Sequence, residues 1–459
     1  MSAAAPPATA PLPHPSPPGR SLRTKLGIVA VLYFSQGLPF GVFDQLVPTF
    51  LRFEGVALSD ISQIVARLGL AWTLKFLWAP LVDQIGSRKA WIVGAQLVLA
   101  AALGAIAMVD VASVSPAVWI ALAALTFLSA TQDIAIDAYS IELLDEREYG
   151  AANGIRVTAY RVALIVAGGL LVILAGRTGW QPVFWVAAAI MLALAVLTLA
   201  LPAVQRPARA ATSGEGGLLE RTFWQPLRTL AVLPGFAATL VFALSFKAGD
   251  FALLVMTRPF WVDSGYSPEA IGFVLTTLGM LATIAGALVG GLLTTRWGIF
   301  RALWLLGLVQ ALSNLAYYAA AVGGATRPLM YGAAMVEQFT GGLGTAAFLA
   351  FLMALCDRRF AATQYALLSA LYGLGRSLVM DQAGRVTELM GYAPFFLLTF
   401  ALAFPAFALL PWVRRSLQAR HDGTVAEARS LAPVLGVVGV MLLGVAYLVV
   451  DAVRDVASR

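Results

Sequence analysis

Apolar positions in this chain form long continuous runs, without the alternation of a half-buried strand or the narrow stripe of a soluble amphipathic helix. Six runs fall at roughly 26–51, 61–82, 90–110, 116–141, 150–176 and 182–202. Six more fall at roughly 231–257, 270–295, 300–323, 328–355, 362–389 and 392–413, and one further run, Leu431 to Val450, holds no charge at all. At 1.5 Å of rise per residue each can cross a hydrocarbon core of about 30 Å. Backbone N–H and C=O groups find no water there, so continuous runs of this length predict helices. The expected class is an all-α membrane protein with two six-helix halves and one extra C-terminal transmembrane helix. The expected divisions are a disordered tail over 1–25, a first half over 26–202, a cytoplasmic linker over 203–230, and a second half over 231–413. A second linker over 414–430, the additional helix over 431–451 and a short tail over 452–459 complete the chain.

Composition agrees. Of 459 residues, 60% are hydrophobic and 12% charged, against about 25% charged in soluble domains. The tail over 1–20 is Ala/Pro-rich and lacks the basic start and apolar core of a secretory signal. The net charge of +7 is explained by its distribution. With the N-terminus inside, the inner segments hold 18 basic residues and the outer ones 6, which is the positive-inside pattern. The basic face suits anionic lipid, and no nucleic-acid partner is implied. The single cysteine, Cys356, excludes an intrachain disulfide. The two histidines, His14 and His421, lie in polar tails, so no histidine metal site or proton relay is expected in the membrane. None of the four lysines follows a phosphate-binding glycine loop, which argues against an ATP-driven motor. No cofactor is expected.

The halves repeat. Leu81-Val82-Asp83-Gln84-Ile85-Gly86-Ser87-Arg88-Lys89-Ala90 follows the second run, and Leu293-Thr294-Thr295-Arg296-Trp297-Gly298-Ile299-Phe300-Arg301-Ala302 follows the eighth. Both set glycine and basic residues in a tight inner turn. Two six-helix halves related this way resemble the major facilitator superfamily.

Ionisable groups inside a membrane need a reason. The acids within runs are Asp44, Asp133, Asp137, Asp250, Glu337 and Asp381; the bases are Arg67, Lys75, Arg156, Arg161, Lys247, Arg376 and Arg385. Asp133 and Asp137 lie one turn apart on the fourth run and share a helix face. Counting rise per residue puts Asp133, Lys75 and Arg161 roughly 4–6 Å to the inner side of the midplane, and Asp137 with Arg156 roughly 12 Å. Two layers follow: Asp133 with Lys75 and Arg161, and Asp137 with Arg156. Such pairs either serve transport or lock helices together. Arg376 has no same-helix partner, which leaves Glu337 or a substrate as its anion. Lys247 with Asp250, and Asp381 with Arg385 and Glu388, read as local pairs. Gly168-Gly169 and Gly341-Gly342-Leu343-Gly344 read as close helix packing. Trp72 and Tyr160 are placed either to stack on a sugar ring or to pack in the core.

Specific blocks carry a family resemblance. Tyr33 to Gly41, Leu74 to Asp83, Ser129 to Tyr139, Gly342 to Met353 and Arg358 to Ser369 resemble the AmpG-like permeases, in the family's order, over roughly 30–413. The resemblance implies a major facilitator fold and proton-driven import of N-acetylglucosaminyl-1,6-anhydro-N-acetylmuramyl peptides across the bacterial inner membrane for cell-wall recycling. That flux also feeds β-lactamase induction. It makes Gln132, Asp133 and Asp137 the family's polar heart. Acetyl-CoA transporters share the Leu74 to Asp83 and Ala130 to Ala135 blocks, so the fold can be inherited without the substrate. The thirteenth run departs from the pattern.

The resulting expectation is alternating access between the halves. Asp133 and Asp137 carry protons; Gln132, Arg161, Arg376, Lys75, Tyr160, Trp72 and Glu337 meet an anionic glycopeptide; Asp83, Gly86, Arg88 and Lys89 form a gate. Transport of another large anion, such as an acyl-CoA or a siderophore, is the alternative. An intramembrane transferase lacks a histidine, a metal cluster and an extramembrane catalytic domain.

Overall fold

The computed structural model describes residues 21–53, 68–108, 116–202 and 224–422. Among them every regular element is a helix. Ten are long and apolar enough to cross a membrane: Leu22–Leu51, Arg88–Met108, Ile120–Leu143, Glu146–Thr178, Trp180–Ala200, Phe236–Asp263, Phe273–Trp297, Ile299–Val322, Arg327–Leu355 and Tyr392–His421. Two more helical stretches stand at the second and eleventh positions. The second is broken, with Leu68–Leu77 and Ala79–Gln84 meeting at a 3-10 turn over Lys75–Leu77. The eleventh, Ala361–Met390, carries Arg376, Asp381, Arg385 and Glu388, which lower its hydropathy. The expected tail over 1–20, Arg67, most of the linker over 203–230 and the thirteenth run lie outside the described residues.

Two boundaries differ from the sequence reading. The twelfth span continues to His421, because Arg420 Nε donates to Leu355 O at 3.0 Å and docks its last turns. The first linker ends in a helix, Gln225–Ala231, with proline in its first turn and Gln364 Nε2 donating to Pro226 O at 2.8 Å.

Several spans are irregular where the sequence disturbs the hydrogen-bond ladder. Pro39 precedes a π-turn over Val42–Leu46 in the first span. A second π-turn, Val166–Leu170, adjoins it, and Gly168 there leaves space that the Gln45 side chain occupies. The seventh span breaks at Phe246 and Lys247 between Phe236–Ser245 and Ala248–Asp263.

The two halves join at the end that carries the basic loops. One apolar cluster spans both halves there, including Tyr33, Phe76 and Ile134 with Phe348, Tyr365 and Leu368. Toward the other end the core divides. Leu38, Phe43, Leu99 and Phe184 pack within the first half, and Trp261, Tyr317, Met330 and Phe396 within the second. The fifth and eighth spans meet through glycines: a Cβ on Gly154 would stand 2.8 Å from Ala287 O. Ala151 N donates to Thr295 Oγ1 at 2.8 Å beside this contact. The eleventh span follows the same gradient, buried on every side over residues 361–368 and exposed at Arg376 and Ser377. The molecule is therefore closed at the basic-loop end and parted toward the other.

Cys356 caps the tenth span at the closed end and is buried, which holds its thiol above the ordinary pKa. Gly154→Val should wedge the fifth and eighth spans apart. Maleimide labelling of Cys356 in membranes should then be several-fold faster than in wild type; an unchanged rate would show that this contact does not seal the end.

Candidate functional site

The fourth span places its two carboxylates against a cation from the break in the second. Lys75 Nζ stands 3.7 Å from Asp133 Oδ2 and 4.0 Å from Asp137 Oδ2. All three are buried. Asp137 is well compensated: Arg156 Nη2 lies at 3.1 Å, and Tyr33 donates its hydroxyl to Oδ1 at 2.9 Å. The Arg156 guanidinium lies 4.5 Å from the Tyr33 ring centroid and 5.3 Å from that of Tyr365, and donates to the Tyr365 hydroxyl at 2.5 Å. Tyr365 belongs to the second half, so this ion pair also ties the halves. Asp133 is poorly compensated. Its ion pair is the long one to Lys75, with the Gln36 side chain of the first span as its polar neighbour and Arg156 farther off.

Arg161 does not join Asp133, contrary to the layer expected from depth. Five residues of helix turn it well away from the direction of Arg156. It faces the parting between the halves, half-buried, with Tyr160, Tyr372, Glu337 and Arg376 in electrostatic range. It makes no hydrogen bond or ion pair among the described residues. Arg376 comes from the opposite half, exposed, and also has no ion pair there. It stands in electrostatic range of Asp44 of the first span, whereas the charges around Glu337 are Asp250, Lys247 and Arg161. Asp44 sits in the first π-turn, where the widened turn presents it to the parting. The result is a crossed arrangement in which each half presents one arginine and one carboxylate.

Trp72 packs edge-on against Phe40 with centroids 5.1 Å apart, and Tyr160 lies 5.9 Å from the same ring. Both are half-buried, forming an aromatic wall beside Arg161. Gln132 is fully buried away from the parting; its Nε2 donates to Ser35 Oγ at 2.6 Å, as does Gln96 Nε2. Adjacent residues lie about 100° apart around a helix, and the bond to Ser35 spends the Gln132 amide within the first half. In the second half Lys247 Nζ pairs with Asp250 Oδ2 at 3.3 Å, the local pair expected from spacing.

At the closed end Asp83 reaches across the halves. Its Oδ2 accepts from Thr363 N at 2.8 Å and Thr363 Oγ1 at 2.5 Å, and its Oδ1 from Ala362 N at 3.2 Å. These donors open the eleventh span, where unpaired N–H groups and the helix dipole favour an anion. Arg88, buried, holds Asp83 at 2.6 Å and Glu142 at 2.7 Å. Gly86 supplies the turn with φ +62°. Lys89 is not part of the bridge. It donates to Leu199 O and Leu201 O, which fastens the end of the sixth span within its own half. Arg358 adds a second tie to Leu144 O and to Asp145 at 3.5 Å, while Lys25 pairs with Asp145 at 3.1 Å and Glu148 at 2.7 Å.

Asp44, Tyr365, Thr363 and Arg358 were not among the sequence-derived candidates. Asp44 alone left a trace, as an acid inside an apolar run with no base three or four residues away. The others act through partners hundreds of residues distant, which local spacing does not reveal.

A model of the Major Facilitator Superfamily matches residues 29–380. The anhydromuropeptide permease of Escherichia coli (strain K12) is 34% identical over 85% of this chain and 80% of its own length. AmpG 4 of Rickettsia conorii is 29% identical over 84% of this chain and 95% of its own. Among solved structures, the proton:xylose symporter XylE has a TM-score of 0.67 at 11% identity, covering 87% of this chain and 98% of its own. The fucose transporter FucP in its outward conformation scores 0.66 at 13% identity, covering 86% and 99%. At such identities these two speak to the fold alone.

Two predictions follow the network. Tyr365→Phe removes one buried inter-half hydrogen bond and should lower stability by about 1 kcal/mol; an unaltered melting temperature in detergent would show that Arg156 does not lean on Tyr365. Burial raises the Asp145 carboxyl, but Lys25 and Arg358 more than offset it and hold it below the usual range. Its contribution is then present above the unfolded value of about 3.9 and lost as pH falls through the depressed folded value. The melting difference between wild type and Asp145→Asn should stay flat from pH 8 to 5 and shrink only in stronger acid.

Proposed function

Because the chain belongs to the Major Facilitator Superfamily, within its anhydromuropeptide permease branch, we infer that this multi-pass transporter imports N-acetylglucosaminyl-1,6-anhydro-N-acetylmuramyl peptides by alternating access, coupled to protons. It is a transporter and not an enzyme. The reading places it in the bacterial inner membrane with the N-terminus and the basic loops cytoplasmic, following the distribution of charge. The described conformation is then closed toward the cytoplasm and parted toward the periplasm, ready for import. The flux would supply cell-wall recycling and, in organisms that use it so, β-lactamase induction.

The carrying observation is the pair of guanidiniums, Arg161 and Arg376. They stand in electrostatic range of one another from opposite halves, and neither makes an ion pair among the described residues. Glu337 and Asp44 offset their repulsion only without contact, an anion between them relieves it directly, and each fork fits a carboxylate in two parallel hydrogen bonds. An anion bound to both would pull the halves together on the parted side. The aromatic wall of Trp72, Phe40 and Tyr160 offers sugar rings a face alongside.

Asp133 is the coupling carboxylate in this reading. It is buried, loosely paired and one turn from the well-held Asp137, so a small movement of Lys75 decides whether it keeps its charge. A nearby cation favours the ionised form and desolvation the protonated one. Asp137, fixed by Arg156 and Tyr33, keeps a structural charge. Asp83 with Thr363 is the inner latch that must part for release.

Accumulation of labelled anhydromuropeptide in proteoliposomes, with and without an inward proton gradient, tests the reading. Gradient-independent uptake would remove the proton. Uptake that anhydromuropeptide fails to compete would move the substrate to another large anion such as an acyl-CoA or a siderophore. Asp133→Asn should abolish concentrative uptake and retain downhill exchange, while Asp137→Asn should reduce expression or stability. Arg161→Lys should weaken binding about tenfold or more while conserving charge; normal affinity would return Arg161 to a structural role. Asp83→Asn should cut transport and leave periplasmic-side binding intact.

A further inference from the structure

Two of the four lysines, Lys75 and Lys247, stand buried at helix breaks, one in each half. Each meets two carboxylates: both lie on the fourth span of its half for Lys75, and one of the two does for Lys247. In the first half those are Asp133 and Asp137, and Arg156 supplies a second cation. In the second half they are Asp250 at 3.3 Å and Glu337, and that half offers no second cation to them among the described residues. The second cluster therefore holds one more acid than base.

Glu337 is the loose member. It is 8% exposed and its carboxylate makes no hydrogen bond or ion pair among the described residues. Gly341, one turn on, borders Glu337: a Cβ there would stand in ordinary contact with Oε1, at 3.7 Å. Lys247 Nζ donates to Gly341 O at 3.3 Å, so lysine and glutamate meet at one glycine. The charged and titratable groups facing Glu337 are Lys247 and Asp250 from the seventh span, Tyr317 from the ninth, and Arg161 from across the parting. The surroundings are polar and under-used. Asn314, 1% exposed, stands beside Asp250, to which Gln310 Nε2 donates, while Gln310 Oε1 has no hydrogen-bond partner among the described residues.

We propose that Glu337 is a second proton site, whose loading is tied to substrate through Arg161. The proposal rests on the anion-import reading. While the cavity is empty, Arg161 faces Glu337 as its counter-charge from the other half. A substrate carboxylate that takes Arg161 removes that compensation. Lys247 is already shared with Asp250, so Glu337 is left as an excess buried anion. It then accepts a proton from cavity water, forming one O–H bond on the carboxyl. When substrate departs on the other side, Arg161 returns to Glu337 and the proton is released there. One substrate thus carries this proton in addition to the one assigned to Asp133. The excess charge selects a proton: the ammonium of Lys247 already fills the position a metal cation would take.

The test counts protons taken up per anhydromuropeptide bound, in purified full-length protein, from binding heats in buffers of different ionisation enthalpy. Glu337→Gln should bind substrate and take up one proton fewer than wild type, and its Kd should lose one tenfold change per pH unit. Uptake equal to wild type in Glu337→Gln, with loss in Asp133→Asn, would overturn this site and leave proton coupling standing. Binding by wild type without any proton uptake would overturn both. Should Glu337→Gln fail to fold, the infrared difference spectrum of Asp133→Asn with and without substrate reads the same event. A protonated-carboxyl band that grows on binding supports the site, and its absence overturns it.

Discussion

An ionised side chain taken from water into hydrocarbon costs several kcal/mol unless a counter-charge meets it, and this requirement organises the whole molecule. Asp137 is met by Arg156, Tyr33 and Lys75, and that group is rigid. Asp133, Glu337, Arg161 and Arg376 are met only in part. On the proposed reading, that distinction separates groups that hold helices together from groups free to exchange a proton or bind an anion.

The same requirement explains how the closed end is sealed. Asp83 can leave water because backbone N–H groups at the start of the eleventh span and the Arg88 guanidinium replace its hydration. The glycines of the fifth and eighth spans let backbones approach at that end, and the apolar core is continuous across the halves only there. Opening this end must break charge-assisted bonds to Asp83 together with apolar contact. In the proposed cycle, a substrate that draws the two arginines together on the parted side offsets that cost and so couples the two ends.

Irregular helix geometry recurs where charge is presented. Lys75 and Lys247 stand at breaks, and Asp44 stands in a π-turn. A regular helix buries its polar backbone completely, while a break or widened turn frees local groups and turns a side chain out of the apolar stripe. The sites and the disturbances coincide for that reason.

Much was legible from order along the chain. Run length against membrane thickness set twelve helical positions, because helices are the only continuous solution in hydrocarbon. Loop charge set the basic end, and the i, i+4 spacing of Asp133 and Asp137 and the i, i+3 spacing of Lys247 and Asp250 set shared faces. Those are consequences of rise and turn per residue. Rotation of one helix against another is not. Depth alone placed Arg161 beside Asp133, but the fifth span turns it to the other half; the lack of a same-helix partner offered Arg376 either Glu337 or a substrate, and the first span's π-turn brings Asp44 into its range as well. Gln132 looked available and is spent on Ser35. The latch to Thr363 joins residues 280 positions apart. Chain order determined which charges enter the membrane and at what depth. Only packing decided which of them are neutralised, because that depends on azimuth and on contacts between halves that no local spacing encodes.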